Sequence, residues 1–225
     1  AQKTSASRAN EKVNNVSGRT VITYGDVDAA FAAAHHIRED HFETSSTAHC
    51  ALEPHAAVAH FDPSGKLHLW LSSMGIYYKR FVIAKVLKMP TSQIHVHKAY
   101  VGGAFGGKMD VYPYEICAAI LSQKAGRPVK IELTRQEVFT TTRLRFPTYI
   151  DIKTAVSADG RILGQHIRTV VNNGAYRGTG PVVIFLFHGW TAPVYRVDNM
   201  RYEGVSVWTN SPVGGPLRGH GAPQI

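Results

Sequence analysis

The sequence contains few cysteines and no long apolar run. Two cysteines in 225 residues, Cys50 and Cys117, are too few for a disulfide framework. They predict buried thiols in a reducing compartment, and therefore a cytoplasmic protein. No apolar run reaches the roughly 18 residues that cross a bilayer, and the polar first residues do not resemble a secretory signal. The most apolar stretch, "PVVIFLFHGW" (Pro181–Trp190), is shorter and predicts a buried strand.

Acidic residues are also scarce relative to basic ones. There are 25 Lys and Arg against 16 Asp and Glu, a net charge of +9. Such a balance suits an anionic ligand, an acidic partner or nucleic acid. The basic residues are scattered, however, and no Lys/Arg run with interleaved aromatics or other nucleic-acid motif is present. An anionic cofactor or a partner subunit is therefore favoured, and no nucleic-acid partner is expected.

The pattern of apolar residues predicts an α+β fold with mixed strands and helices. Residues 1–20 are polar without periodicity and predict a linker or frayed lead-in. From residue 21 onward strands and helices mix without strict βαβ alternation. Helical patterns lie in Gly25–Ile37, Ile76–Pro90 and Tyr112–Pro128, and after a capping box at Thr134–Glu137. Strand patterns lie in a hairpin at His55–Ser73, in Ser92–Val101 and Val129–Thr134, in a hairpin at Thr148–Val171, and in Arg201–Asn210.

A glycine-rich loop separates a predicted strand from a predicted helix. The segment "YVGGAFGGKMDVYPYE" spans Tyr100–Glu115 and nearly matches a P-loop, Gly-x-x-x-x-Gly-Lys-Ser/Thr. Met109 stands where the P-loop has a hydroxyl for magnesium, which disfavours a nucleotide hydrolase. Glycines permit positive φ and close approach of a ligand, and N–H groups at a helix entrance favour anionic or oxo ligands. The loop is either such a site or a tight turn without a ligand.

A second glycine-rich stretch lies at Ser211–Ile225, "SPVGGPLRGHGAPQI". It carries Arg218, His220 and Gln224 among glycines and prolines. An arginine in this setting is a common anion ligand, although a plain surface loop is the alternative. Two such loops favour a bound anionic cofactor. The twelve histidines show no zinc spacing joined to cysteines, and His55 is left without a role.

In order along the chain, these motifs resemble a known enzyme family. "GGAFGGK" and "LRGHGAPQ" resemble signatures of the molybdenum-cofactor subunit of the xanthine dehydrogenase/aldehyde oxidase family of molybdenum hydroxylases. "GDVDAAFAAA", "HCALEPHAAVAHF" and "FVIAKVLKMP" look like family segments in the expected order. The resemblance covers nearly the whole chain from about Gly25. It implies that residues 21–225 form part of a molybdopterin-binding domain.

The resemblance also implies a cofactor, partners and site residues. The cofactor is a molybdopterin-type molybdenum cofactor, in its plain or its cytosine dinucleotide form, and the metal is held through the pterin. The backbone of Phe105 and Gly106 is expected beside the oxo ligand of the metal, Gly103 and Gly107 clear the space, and Arg218 lies at the same centre. [2Fe–2S] clusters and FAD in partner domains or subunits carry the electrons away.

The chain departs from the family pattern at several points. The glutamate base and half of the cofactor cradle are expected beyond Ile225, so the resemblance implies an internal fragment without a catalytic residue, inactive by itself. Met74 stands where many members carry a glutamine that bonds the metal centre. Met109 and Leu186 stand where purine-oxidising members carry a glutamate and an arginine, although Phe185 fits the second position equally well.

The predicted function is therefore part of an oxidoreductase. It hydroxylates an aldehyde or an aromatic or N-heterocyclic carbon, with water as oxygen source. A cofactor-free module of the same fold and a P-loop-like nucleotide-binding protein are the alternatives.

Overall fold

The computed structural model describes residues 15–225, which fold into two compact units. Unit 1 combines residues 15–47 with Leu144–Ile225, and unit 2 is the continuous segment Ala48–Arg143. Residues 1–14 of the predicted lead-in lie outside the described residues.

Unit 1 is built on a five-stranded sheet in the order β1-β9-β8-β7-β2. Its strands are β1 (Val16–Tyr24), β2 (His36–Thr44), β7 (Thr148–Val156), β8 (Ile162–Gly174) and β9 (Met200–Trp208). The predicted β7–β8 hairpin is confirmed, whereas β8 and β9 pair in parallel. A lead-in extending to residue 20 is wrong, because β1 already pairs with β9 from Val16.

Two helices accompany this sheet, α1 (Val27–Ala32) and α5 (Gly180–Thr191). Helix α1 begins where the Asp26 carboxylate accepts a hydrogen bond from the amide of Ala29, which satisfies one free donor of the first turn. The prediction of a strand at Pro181–Trp190 is wrong, since this segment is α5. Pro181 lies in its first turn, where the missing N–H has no helical acceptor. The buried side chains of α5 join the core of unit 1: Val183, Ile184 and Phe187.

Unit 2 contains a four-stranded sheet in the order β5-β4-β3-β6. The strands are β3 (Ala56–Phe61), β4 (Leu67–Leu71), β5 (Ile94–Lys98) and β6 (Val129–Glu132), and the helices are α2 (Ile76–Leu87), α3 (Pro113–Ala125) and α4 (Arg135–Thr141). The predicted β3–β4 hairpin is confirmed. Strands β4 and β5 are parallel, with α2 as the crossover between them. The α+β prediction is confirmed in both units.

Local chemistry explains where these elements end. Helix α3 stops at Gly126, which has a φ of 61°, a left-handed angle that glycine adopts without strain. The predicted capping box at the start of α4 is present, with Thr134 and Glu137 bonded reciprocally. In the β3–β4 turn the Asp62 carboxylate accepts hydrogen bonds from the amides of Ser64 and Lys66.

Two sequence predictions about exposure have different outcomes. The prediction of buried thiols is wrong, because Cys50 and Cys117 are both exposed. Cys117 lies on the solvent side of α3 while its neighbour Ala118 faces the core. Within residues 15–225 no helix is both long and apolar enough to cross a membrane.

Candidate functional site

The glycine loop lies in unit 2 between β5 and α3, in the strand–loop–helix context that its sequence predicts. Three of its residues have left-handed backbone angles: φ is 97° at Gly103, 51° at Phe105 and 98° at Gly106. A non-glycine residue rarely adopts such an angle without support from its surroundings. Gly103 and Gly106 adopt these angles without strain, so Phe105 is the residue of the three that is held at an angle its type does not favour.

Glu53 joins the two ends of the loop. Its Oε2 accepts a hydrogen bond from the amide of Gly102 at 2.7 Å and from Lys108 Nζ at 2.7 Å. The hydroxyl of Ser72 donates to the same oxygen at 2.9 Å, and Lys108 Nζ also donates to the Glu53 carbonyl at 2.9 Å. Burial of the carboxylate raises its pKa, but these hydrogen bonds and the ammonium outweigh burial and lower the pKa of Glu53 below its usual value. Glu53 therefore acts as an ionised clamp.

The carbonyl of Gly107 is the second fixed point of the loop. It accepts a hydrogen bond from Tyr112 Oη at 2.6 Å and from His55 Nε2 at 2.9 Å. Because a carbonyl only accepts, Nε2 of His55 carries the proton, and Nδ1 is a buried acceptor without a partner within residues 15–225. Tyr112 is itself supported by the buried pair of Lys79 and Glu115, since Glu115 Oε2 accepts the Tyr112 amide at 3.2 Å.

This geometry argues against a P-loop. A phosphate-binding lysine must present its ammonium group to the ligand, whereas the Lys108 side chain is 0% exposed and paired with Glu53. The lysine stabilises the loop from behind, so the nucleotide-binding alternative is not supported.

The front of the loop offers backbone donors. The amides of Gly103, Ala104 and Gly106 make no hydrogen bond within residues 15–225, while that of Gly107 donates to the Ala104 carbonyl at 2.8 Å. Gly107 packs against the ring of His49, which a Cβ at this position would approach to 2.7 Å. Half-buried free N–H groups on a fixed backbone fit an anionic or oxo ligand.

Met74 and Met109 both lie next to the loop. The amide of Met74 donates to the Lys108 carbonyl at 3.3 Å, and Gly75 approaches Met109 closely. The side chains of Met74, Phe105 and Met109 are 51%, 44% and 41% exposed. The structure therefore joins the backbone of Met74 to the end of the loop and leaves all three side chains accessible to solvent.

The remaining predicted residues, Arg218 and Leu186, belong to unit 1. Arg218 is exposed, and its carbonyl accepts a hydrogen bond from Arg145 at 2.8 Å. The flanking Gly219 and Gly221 have φ angles of 91° and 109°. Leu186 lies half-buried on α5.

Gln224 has a structural contact in the same segment. Its side-chain nitrogen donates to the carbonyl of Phe146 and to Thr148 Oγ1, each at 2.7 Å. The second glycine-rich stretch is thus anchored through Gln224, with Arg218 on its exposed part.

Sequence reasoning missed the three residues that fix the first loop: Glu53, His55 and Tyr112. Glu53 is 55 residues from Lys108, so no local pattern joins them. The signal in the sequence was "EPH", which places a carboxylate and an imidazole just before a predicted strand.

His55 predicts a pH dependence of stability. Burial lowers its pKa, which outweighs the opposing effect of the Gly107 hydrogen bond. As the pH falls, the unfolded chain therefore binds a proton at His55 before the folded chain does. The contribution of neutral His55 to the free energy of unfolding is complete above about pH 6.5 and is lost as the pH falls from there towards the pKa of the folded state. Urea unfolding between pH 7.5 and 5 should show a loss of up to roughly 1.4 kcal/mol per pH unit from this group.

The control for this measurement is His36→Gln, which alters an exposed histidine. His55→Gln should flatten the pH profile and His36→Gln should leave it unchanged. Identical profiles for the native chain and His55→Gln would refute the assignment.

Comparison with known proteins identifies relatives of the chain. Residues 8–225 match the family described as "Molybdopterin cofactor-binding domain". The chain is 35% identical to a probable xanthine dehydrogenase subunit from Bacillus subtilis (strain 168), over 94% of this chain and 28% of that protein. It is also 35% identical to the nicotinate dehydrogenase large molybdopterin subunit of Eubacterium barkeri, over 90% of this chain and 48% of that one. The chain thus spans about a quarter to a half of these relatives.

Solved structures agree with this relationship. The aldehyde oxidoreductase of Desulfovibrio gigas superposes with a TM-score of 0.88 at 26% identity, over 99% of this chain and 26% of that one. Quinoline 2-oxidoreductase of Pseudomonas putida 86 gives 0.85 at 25% identity, over 98% and 30%. Since the family match covers nearly all of the sequence and both of the glycine-rich loops, the chain belongs to the molybdopterin cofactor-binding domain family.

Proposed function

We propose that the glycine loop binds the metal end of the molybdenum cofactor in an oxidoreductase of the molybdenum hydroxylase type. The observation that supports this most is the set of free amides at Gly103, Ala104 and Gly106 on a loop clamped by Glu53. Preorganised N–H donors stabilise negative charge at a ligand without the cost of reorganising. Here the amide of Gly106 would donate to an oxo ligand, and the family resemblance implies that the backbone of Phe105 lies beside it.

Other residues are assigned supporting roles by the same proposal. The amide of Gly107 is already bonded to the Ala104 carbonyl, and Gly107 packs against the ring of His49. Gly107 would therefore shape the loop without donating to the ligand. Arg218 would add a positive charge to the cofactor site. Met74 would face the metal end through a thioether, which accepts weakly and cannot donate.

The bound cofactor would supply the two-electron oxidation, with water as the source of oxygen. The finer assignments belong to this proposal as well: a cytosine dinucleotide form of the pterin, [2Fe–2S] and FAD partner subunits, and a cytoplasmic location. The exposed Phe105, Met74 and Met109 would keep the substrate side of the loop apolar.

Molybdenum analysis of the complete complex, purified from its native host, tests the proposal. About one molybdenum per copy of this chain is the expected result. Absence of molybdenum from a complex that contains all its subunits would instead favour the cofactor-free alternative, which is suggested by Met74 in place of the family's glutamine.

The substrate class follows from Met109 and Leu186. Both are apolar, so neither can pair with the polar edges of a purine, and leaving a buried polar group unpaired costs roughly 1–3 kcal/mol. That corresponds to about a ten- to hundredfold loss in kcat/KM for each missing bond. The complete enzyme should therefore turn over aromatic aldehydes or simple N-heterocycles far better than xanthine or hypoxanthine.

The measurement is kcat/KM on a panel of these compounds with an artificial electron acceptor. Equal kcat/KM for xanthine and for the best aldehyde or heterocycle would show the pocket assignment to be wrong, while molybdenum content would still report on the cofactor proposal.

A further inference from the structure

A basic groove runs along the free edge of the sheet in unit 2. It has a volume of about 470 Å³ and lies between α2 and the outer edge of β5. Ile76 and Tyr77 of α2 line one wall, and residues 92–96 together with Lys98 line the other. The glycine loop contributes no residue to this groove, which is therefore separate from the proposed cofactor site.

The charges along the groove are of one sign. Lys66, Arg80 and Lys98 line it together with His68 and His95, and no carboxylate does. Within residues 15–225 none of the three cations has an acidic partner within 4.0 Å. Asp62 accepts from His68 Nε2 at 3.2 Å but is not part of the lining. The groove thus presents positive charge that has no acidic partner in contact among residues 15–225.

Arg80 is preorganised at this site. Its Nε and Nη2 donate to the carbonyl of Thr91 at 2.9 and 2.6 Å, which fixes the plane of the guanidinium and leaves Nη1 for a ligand. Less side-chain entropy is then lost when an anion binds.

The backbone of β5 supplies the second observation. β5 is the last strand of the sheet and pairs only with β4 among the described residues. In a parallel ladder alternate residues bond to the one neighbour, so the other N–H and C=O groups of β5 have no sheet partner among residues 15–225. An extended polypeptide can add to such an edge.

We propose that this groove docks an acidic, extended polypeptide segment of a partner as an additional strand beside β5. Main-chain hydrogen bonds to β5 would supply register, and carboxylates would pair with Lys66, Arg80 and Lys98. The apolar side chains of Ile76 and Tyr77 would cover alternate residues of the segment. The inference depends on neither the molybdenum cofactor nor the substrate class.

The test measures binding of a labelled peptide, acetyl-Glu-Val-Glu-Val-Glu-amide, to the 225-residue chain by fluorescence anisotropy at low salt. The matched Gln-Val-Gln-Val-Gln peptide should bind at least tenfold more weakly, and 0.5 M NaCl should weaken the acidic peptide strongly. Lys66→Gln combined with Lys98→Gln should lower affinity by roughly tenfold, because each exposed ion pair contributes only modestly. Lys124→Gln combined with Arg127→Gln removes the same charge outside the groove and should leave affinity unchanged.

Two further measurements distinguish addition of a strand to β5 from simple binding of an anion. Methylation of alternate peptide nitrogens removes the ladder donors and should abolish binding if the segment adds as a strand. Binding that survives methylation, or binding of inorganic pyrophosphate but not of the peptide, overturns the strand proposal in favour of a simple anion site. Equal affinity for the Glu and Gln peptides, or equal loss in both double variants, also overturns it. Circular dichroism of each variant establishes that it is folded.

Discussion

Gly106→Val is expected to abolish molybdenum binding in the complete enzyme while leaving most of the fold intact. Gly106 has a φ of 98°, which a β-branched residue does not adopt without strain of roughly 1–3 kcal/mol. The valine would relieve this strain by turning the peptide and displacing the free amide of Gly106. Its side chain would also occupy the space in which the metal ligands are proposed to lie. Metal content and thermal unfolding are measured together.

Gly65→Val is the matched control for this substitution. Gly65 lies in the β3–β4 turn with a φ of 82°, and a Cβ added there would have no atom within 4 Å, so the substitution imposes a similar backbone penalty in the same unit. It should lower stability by a similar amount and keep the molybdenum. Full molybdenum content in Gly106→Val would show that the loop is not part of the cofactor site.

Glu53→Gln is expected to destabilise unit 2 by roughly 2–3 kcal/mol. The substitution leaves the fully buried Lys108 ammonium without a counterion, and breaking a buried pair on one side costs about 3–5 kcal/mol. The figure is reduced here because the Glu53 side chain is 34% exposed and water screens part of the charge. The hydrogen-bonded amides of Gly102 and Gly107 should also exchange with solvent faster, since glutamine offers Gly102 and Lys108 a neutral acceptor in place of a charged one.

Two comparisons isolate this effect. Glu132→Gln breaks the exposed pair with Lys130 and should change stability by less than about 0.5 kcal/mol. Adding Lys108→Met to Glu53→Gln removes the unpaired charge and should recover part of the lost stability, but not the slow exchange of the loop. If Glu53→Gln behaves like Glu132→Gln, the clamp is not a determinant of the loop.

Much of the fold was predictable because its signals are local. The turn at Asp62–Gly65, the capping box before α4 and the glycine after α3 each need only a few neighbouring residues. Helix α5 was mistaken for a strand because "PVVIFLFHGW" is β-branched and aromatic and shows no helical periodicity. Its amphipathic character is weak, with Val182 and Phe185 exposed and Val183 and Phe187 buried. Pro181 was the helix signal that the apolar run obscured.

For the candidate site, the sequence drew attention to the glycine-rich loops but not to the residues that support them. The glycines and the arginine were singled out by composition and by the family resemblance, and the contact of Gly103, Gly106 and Arg218 with a cofactor stays a prediction. The residues behind the loop were not singled out, because the contacts of Glu53 and His55 join positions about fifty residues apart. The same limit applies to sheet order: neither the parallel pairing of β8 with β9 nor that of β4 with β5 follows from a hairpin rule.

The insertion of unit 2 between β2 and β7 has an entropic consequence for unit 1. In the ladder that joins these strands, His36 pairs with Val156 at one end and Thr44 pairs with Thr148 at the other. Forming this ladder closes a loop of roughly a hundred residues. For a flexible chain such closure costs on the order of 4 kcal/mol. If unit 2 is already folded, most of this segment is a compact body and only short flexible connections remain. Less conformational entropy is then lost when β2 and β7 pair, so the cost of closure is smaller. The stability of the outer ladder of one sheet is thus tied to the folding of the other unit, without any contact between the two being required.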